Sequence, residues 1–417
     1  MSAEPELLLL RAEAAAHGGA TIAHDAGRTY LVYYALPGEL VQARGRGRRG
    51  GLTYASAERV VEAAATRVKP GCPYFGACGG CQWQHAAYPQ QLEIKRQVVA
   101  AAWQRAGLRL PPDTPLLGMA EPWRYRIRGE FEARYRAESF EFGFHRMRSH
   151  AVLPVRACPI HDERIEEAML AFRQAMERTG AQGLTSLLLT VEPMGRGLLW
   201  RTRWKSPREA ARNSELAAAA SDLLPDQVLL DDAMTLSFWD LSFRCRSDTF
   251  LQTNYSQMLM LYEAVLGMVA AGPGDAILDL YAGIGTISLA VARQAGSVTA
   301  VEENPAAVKL SQLNARINGS HNFHPLPGRV ELALRQIRLG DHQAVVLDPP
   351  RAGCEPAAIA ELLRLGCERL VYVSCEPSTH ARDLALLVQG GYRVRRAVLV
   401  DMFPQTYHIE SVALLER

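Results

Sequence analysis

In 417 residues there is no apolar run approaching the ~20 residues that a membrane-spanning helix requires. Leu7-Leu8-Leu9-Leu10 is too short for the core of a secretory signal, and Glu4 and Glu6 precede it where basic residues would stand. A cytoplasmic protein with no membrane partner is the expectation. Cysteine is scarce, at eight residues. In a long chain without a secretion signal, that argues against a disulfide framework and for metal or catalytic use. Net charge is only +2, but it hides a local asymmetry. Arg44, Arg46, Arg48 and Arg49 form one basic glycine-rich cluster, and seven arginines fall between Arg124 and Arg148. Such clusters track phosphates or serve as solvated faces.

What is present is a soluble globular composition, 48% hydrophobic and 22% charged, in a chain too long for one ordinary core. Three units are expected: 1–68, 69–246 and 247–417. In the first, Thr21-Ile22-Ala23, Thr29 to Tyr33, Leu40-Val41 and Arg59-Val60-Val61 read as short strands. Asp25-Ala26-Gly27, Leu36-Pro37-Gly38 and the Arg/Gly run punctuate them. A small β-barrel is the natural reading, and such barrels often bind nucleic acid.

The second unit opens with Cys72, Cys78 and Cys81, three cysteines within ten residues, with Gly79-Gly80 between the last pair. Small residues there let backbone amides approach the sulfurs. Cys158 is the best fourth ligand, and four thiolates fit either tetrahedral zinc or an iron–sulfur cluster. From Trp123 to Arg136, apolar residues at odd positions alternate with arginines and glutamates at even ones, a period of two that describes half-buried strands. Phe140, Phe142 and Phe144 continue it as a hairpin partner. A further αβ stretch runs from Ile165 to Trp204, and the unit closes near Arg246.

From Asp248 onward strands alternate with helices, the grammar of a parallel sheet covered on both faces. Strand Ala276 to Leu280 leads through Tyr281-Ala282-Gly283-Ile284-Gly285-Thr286 into helix Ile287 to Ala295. Strands Val298 to Val301, Ala344 to Leu347 and Leu370 to Val373 run out into Glu302, Asp348 and Cys375. Tyr392 to Val400 and Ser411 to Leu415 are expected to form a terminal antiparallel pair. In open α/β sheets, ligands bind outside the carboxyl ends of the strands.

A strand, a glycine loop, a helix and an acidic residue about 20 positions on describe a nucleoside-binding half-fold. Glu302 would accept from ribose hydroxyls. The dinucleotide pattern needs a third glycine where Ser288 stands, and there is no second mononucleotide half. With Asp279 before the loop, S-adenosylmethionine fits better than a nicotinamide. Beside a methyl donor, a cysteine can activate uracil, whose carbon 5 is a poor nucleophile until a thiolate adds at carbon 6. Cys375 is the candidate nucleophile, provided its pKa falls below the free value of ~8.5. Glu410, at the start of the last strand, is the candidate base that removes the carbon-5 proton.

Taken together, Cys72 to His85 with Cys158, Phe250-Leu251-Gln252-Thr253-Asn254, the Asp279 to Thr286 loop, Asp348 to Gly353, Val373 to Pro377 and Phe403 to Glu410 resemble a known family over nearly the whole chain. It is that of the bacterial RNA uracil-5-methyltransferases carrying a TRAM domain and an iron–sulfur cluster. The resemblance implies an α/β fold: a class I methyltransferase-type doubly wound sheet at the C-terminus, a central α+β unit with the cluster, and a TRAM barrel from about Glu6 to Arg67. It implies a 4Fe-4S cluster on Cys72, Cys78, Cys81 and Cys158. It places Gln252, Tyr281, Gly283, Gly285, Glu302 and Asp348 at the S-adenosylmethionine or the uracil. Phe250 would stack on a flipped base, a motion that costs a few kcal/mol. The expected product is 5-methyluridine and the expected partner RNA, 23S ribosomal RNA ahead of transfer RNA, acted on by a monomer.

Three positions depart from the family. Ala282 replaces a cysteine, Arg329 stands where Asp or Asn is usual near the donor adenine, and Glu376 where asparagine is frequent. A related cytosine-5 chemistry would place its cysteine directly after the Asp348-Pro349-Pro350 motif, where this chain has Arg351. Cys354 nearby reads as packing. An inactive RNA-binding iron–sulfur protein is the remaining alternative, with Arg329 its only support.

Overall fold

The computed structural model describes residues 7–136, 139–338 and 340–417. Glu6, where the barrel is expected to begin, lies outside the described residues. Strands β1 (Leu7–Arg11), β2 (Ala14–Ala16), β3 (Ala20–Asp25), β4 (Arg28–Tyr33), β5 (Leu40–Arg49) and β6 (Leu52–Glu62) form one sheet ordered β1-β5-β6-β4-β3-β2. Both of its edges come from one bent segment, since β1 pairs with β5 while β2 pairs with β3. Leu10, Ala23, Tyr30, Val32, Val41, Ala43 and Ala55 are buried together in the core of this sheet.

The Arg44 to Arg49 run is not the break expected of it. It is the outer half of β5, laddered to Leu52–Ser56. A register shift falls between Gly45 and Gly47, and Gly47 at φ 125° takes up the bulge, so these glycines bend a strand instead of ending it.

Past the short β7 (Leu116–Leu117) comes a second sheet, built from β8 (Arg128–Arg136), β9 (Ser139–His145), β10 (Val152–Pro154), β11 (Leu184–Val191), β12 (Gly197–Trp204) and β13 (Val228–Leu230). Its order is β10-β9-β8-β11-β12-β13. The period of two holds, with Tyr125, Ile127, Phe131, Phe140 and Phe142 buried. The ladder nevertheless starts at Arg128, not Trp123, because Arg124 adopts φ 54° and turns the chain. Several arginines of the polar face tie down protein. Arg124 pairs with Glu166 at 2.5 Å, Arg128 donates to the carbonyls of Ser247 and Thr249, and Arg134 to that of Val152. A hairpin, β14 (Ala233–Phe238) and β15 (Leu241–Arg246), follows.

The largest sheet contains β16 (Ala276–Leu280), β17 (Ser297–Glu302), β18 (Phe323–Pro327), β19 (Ala344–Leu347), β20 (Arg369–Ser374), β21 (Arg393–Val400) and β22 (Glu410–Glu416), ordered β18-β17-β16-β19-β20-β22-β21-β7. Strand alternation feeds two cores. Val371, Val373, Val412 and Leu414 join one, while Leu370, Tyr372, Ala413 and Leu415 join the other. The expected terminal pair forms, but β22 inserts between β20 and β21 and runs antiparallel to both. Helix Tyr88–Arg105 packs on helix Pro377–Gln389, and β7 pairs with β21, so part of the 69–246 stretch belongs physically with this sheet. Among the described residues no helix is long and apolar enough to cross a membrane.

Candidate active site

Strand β16 ends at Leu280, and the chain turns through Tyr281 (φ 64°), Gly283 (φ 56°) and Gly285 (φ 85°) into helix Thr286–Ala292. Positive φ is easy for glycine but strained for tyrosine, which marks the loop as functionally shaped. A cleft beside it is lined by Phe250, Gln252, Tyr262, Asp279, Tyr281, Ala282, Gly283, Thr286 and Asp348. Gly285 is not among the lining residues; its N–H donates to Ala282 O at 3.0 Å and closes the turn. Glu302 reaches the loop from the end of β17, accepting the Gly283 N–H at 2.9 Å and the Asn304 N–H at 2.7 Å.

Ser288 explains its own presence where a glycine was sought. Its hydroxyl donates to the buried carboxylate of Asp279. Burial pushes Asp279 up to about 7, and the Ser288 bond pulls the other way. Tyr262, not anticipated from sequence, shares a 2.9 Å hydrogen bond with Thr286 at the head of the helix.

Beyond β19, two strands on from β16, β20 delivers Cys375 and β22 delivers Glu410. The register Ser374 to Ser411 sets these two neighbours side by side. Burial, the Glu410 carboxyl and Asp348 push the Cys375 thiol up to about 11, while Arg351 lowers it by charge and by a side-chain hydrogen bond. The thiol is thus raised, opposite to the depressed value expected. The cause is local: two carboxyls and desolvation outweigh one guanidinium. Burial lifts Glu410 well above the ordinary carboxylate range, with Asp348 adding to it and Arg351 opposing. Burial alone brings Asp348 up to about 7. Arg351, read from sequence only as a missing cysteine, is therefore the cation shared by Cys375 and Glu410. Its Nη2 lies 2.8 Å from His408 Nδ1.

The departures each have a physical setting. Arg329 is exposed and ion-paired with Glu331, which offsets its charge at that edge of the sheet. Glu376 accepts from Ser378 N–H and meets His17, in the turn after β2, at 3.0 Å, so the residue after Cys375 contacts the N-terminal unit. Cys354 is buried, its N–H donating to Asp383 at 2.8 Å, which agrees with packing.

Cys72, Cys78, Cys81 and Cys158 line one cavity of about 240 Å³ with Phe75, Gln84, Arg126 and His161. Gly80 N–H approaches Cys78 Sγ at 3.4 Å, as the glycine pair suggested. Burial and the neighbouring thiols push Cys81 up to about 12, and Cys158, which also feels them, to about 12. His161 Nδ1 is buried there with no partner among the described residues. No group of three or more His, Cys, Asp or Glu among the described residues converges to hold a metal ion. The sulfurs surround a volume and do not meet at a point.

The order β18-β17-β16-β19-β20-β22-β21, with a glycine loop after its central strand, defines an α/β methyltransferase fold. Residues 217–417 match the family described as tRNA (Uracil-5-)-methyltransferase. An uncharacterized RNA methyltransferase of Halalkalibacterium halodurans is 31% identical across 96% of this chain and 94% of its own. One from Gloeobacter violaceus is 33% identical across 97% and 95%. The crystal structure of Pyrococcus abyssi tRNA (uracil-54, C5)-methyltransferase with S-adenosyl-L-homocysteine superposes with a TM-score of 0.75 at 21% identity, covering 97% of this chain and 99% of that one. The chain belongs to the RNA methyltransferase family of these relatives, carries the uracil-5-methyltransferase family's pattern over residues 217–417, and is an S-adenosylmethionine-dependent enzyme.

Proposed function

We propose that the chain makes 5-methyluridine in 23S ribosomal RNA through a covalent adduct on Cys375, acting as a cytoplasmic monomer. The observation that carries the chemistry is the meeting of Cys375 and Glu410 at adjoining strand ends, with Asp348 linking them to the donor cleft. Cys375, as thiolate, adds to carbon 6. The electron pair released at carbon 5 attacks the methyl group of the donor, and S-adenosylhomocysteine leaves. Glu410, as carboxylate, then takes the carbon-5 proton, and the double bond re-forms as Cys375 departs. Gln252, Tyr281, Gly283, Gly285, Glu302 and Asp348 are the proposed donor or uracil contacts. Phe250, 74% exposed, lines both the donor cleft and a groove containing Arg126, Arg128, Arg201 and Arg203, a setting that suits stacking on a flipped uracil.

The bent, two-edged first sheet is read as the TRAM barrel. A groove from it to the β9–β10 turn carries Tyr33, Tyr34, Tyr54, Arg46, Arg48, Arg146 and Arg148, which combines stacking faces with phosphate-seeking cations. The four cysteines spread round their cavity suit a 4Fe-4S cluster better than one zinc, whose sulfurs would all lie ~2.3 Å from a single point. Such a cluster would staple the Cys72–Cys81 loop to Cys158, and methyl transfer needs no electron from it. Transfer RNA is the second reading. The name of the matching family favours it, and the Pyrococcus abyssi enzyme carries a tRNA activity on a comparable full-length fold.

The test combines two variants with mapping of methylated uridines in both RNAs. Cys375→Ala abolishes turnover and adduct; Glu410→Gln forms the adduct but releases neither tritium from 5-tritiated uridine nor RNA. Rapid RNA release by Glu410→Gln would remove Glu410 from the mechanism.

A further inference from the structure

The nine residues between β21 and β22, Asp401 to Ile409, lead directly into Glu410, and residues from distant parts of the chain hold the first five. Four consecutive carbonyls are each captured. Asn254 Nδ2 donates to Met402 O at 3.0 Å, Lys95 Nζ to Phe403 O at 3.0 Å and Tyr125 Oη to Pro404 O at 2.9 Å. The N–H groups of Gln82 and Trp83 both donate to Gln405 O, at 3.1 and 2.9 Å.

Helix Tyr88–Arg105 supplies the rest from a single face. Tyr88, Gln91 and Lys95 are spaced by three and four, so they line up along one side. Tyr88 Oη donates to Asp401 Oδ2 at 2.8 Å and Lys95 Nζ to Asp401 Oδ1 at 2.5 Å. Gln91 makes a reciprocal pair with Gln405, accepting its N–H at 2.9 Å and donating to its Oε1 at 3.0 Å. Gln405 itself is held at φ 70°, a left-handed conformation unfavourable to glutamine.

Lys95 and Asp401 are 1% and 0% exposed. A buried ion pair is weak as a source of stability, because desolvation offsets most of its attraction; its attested use is to fix one geometry. Here the geometry being fixed is the approach of the chain to Glu410.

We infer that Lys95, Gln91 and Asp401 are positioning residues for Glu410, and that the Gln82-Trp83 step just after Cys81 completes the same clamp. The inference rests on Glu410 being the base that clears carbon 5. It also gives the cysteine segment a role in the reaction sequence: the two residues after Cys81 hold the strap that sets the base.

The test uses the full chain with Lys95→Met/Asp401→Asn, which removes both charges at similar volume, and separately Gln91→Met, each beside Glu410→Gln. A base displaced by ~1 Å costs up to ~10²-fold in rate. We therefore expect kcat to fall tenfold to a hundredfold with KM and donor affinity unchanged, and the denaturant-stable RNA adduct to accumulate as tritium release slows. A purely structural role would lower active fraction without enriching adduct. Enrichment in the clamp variants and in Glu410→Gln supports the inference. Enrichment in Glu410→Gln alone overturns the clamp and leaves the base assignment standing. Absence in Glu410→Gln overturns both, whatever the clamp variants do. If neither clamp variant folds, the strap is a folding element and the positioning role is overturned.

Discussion

Arg351 is the residue whose removal should be most informative, because it faces both reactive groups with the same charge. The Cys375 thiol is pushed up to about 11 even with Arg351 hydrogen-bonded to it. An opposite charge at that range typically holds a neighbour's pKa down by ~1–3 units. Arg351→Met should therefore cut the thiolate fraction at pH 8, and with it single-turnover methyl transfer, by ~10- to 10³-fold. Arg351→Lys should recover part of this, since it restores charge without the planar fork.

The sign of the pH dependence follows from the same groups. In the proposed mechanism Cys375 reacts ionised, and its pKa is raised, so its competent fraction grows about tenfold per pH unit below about 11. Glu410 must also be ionised to take a proton, and its pKa is raised too. Activity should rise with pH and be lost as pH falls. The variant's profile should be displaced upward, so that its deficit shrinks where the native thiol approaches full ionisation. Single-turnover rates at saturating donor and RNA, over the pH range in which both proteins stay folded, measure this. No deficit at pH 8, or a deficit of which Arg351→Lys recovers none, would refute Arg351 as the thiolate's partner.

Three further outcomes follow from particular contacts. Ser288→Ala strips the buried Asp279 carboxylate of its hydroxyl donor and should cost ~1–3 kcal/mol in unfolding free energy. The loss should be greater at pH 8 than at pH 6, because Asp279 sits at about 7 and needs the donor only when ionised. Arg148→Ala, which removes the guanidinium 3.9 Å above the Tyr54 ring, should weaken RNA binding across sequences and flatten the salt slope by about one counterion, measured as log Kd against log salt. Protein purified without oxygen should absorb broadly in the visible and hold iron and sulfide, and Cys158→Ser should lose both. Colourless protein with one zinc would overturn the cluster.

Much of the site was legible because its chemistry stands at strand ends. Glu302, Asp348 and Cys375 each close or follow a short apolar strand, Asp279 sits one residue inside the end of β16, and strand direction alone puts them on one rim. What the sequence hid was partnership. Ser288 looked like a failed glycine because its hydrogen bond to Asp279 cannot be inferred from a spacing rule. Arg351 looked like an absent cysteine because its meeting with Cys375 depends on the facing of two loops. Lys95 and Asp401 are 306 positions apart and sit in unremarkable contexts, a helix face and the residue after a strand. The alternating arginines were half legible: their face was correct, but their occupation by the carbonyls of Ser247, Thr249 and Val152 was not.

The antiparallel insertion of β22 ties these observations together. In a wholly parallel sheet only carboxyl ends reach the ligand rim, and a glutamate opening a strand would lie at the opposite edge. Because β22 runs against β20 and β21, its first residue comes to the rim beside Cys375, while β21 delivers Asp401 to the same rim. The Asp401 to Ile409 connection therefore lies wholly on the catalytic edge and never passes below the sheet. A loop so placed has no strand ladder to hold it. That is why its carbonyls are taken by Gln82, Lys95, Tyr125 and Asn254, and why the segments preceding the methyltransferase sheet reach into the chemistry they were expected only to escort.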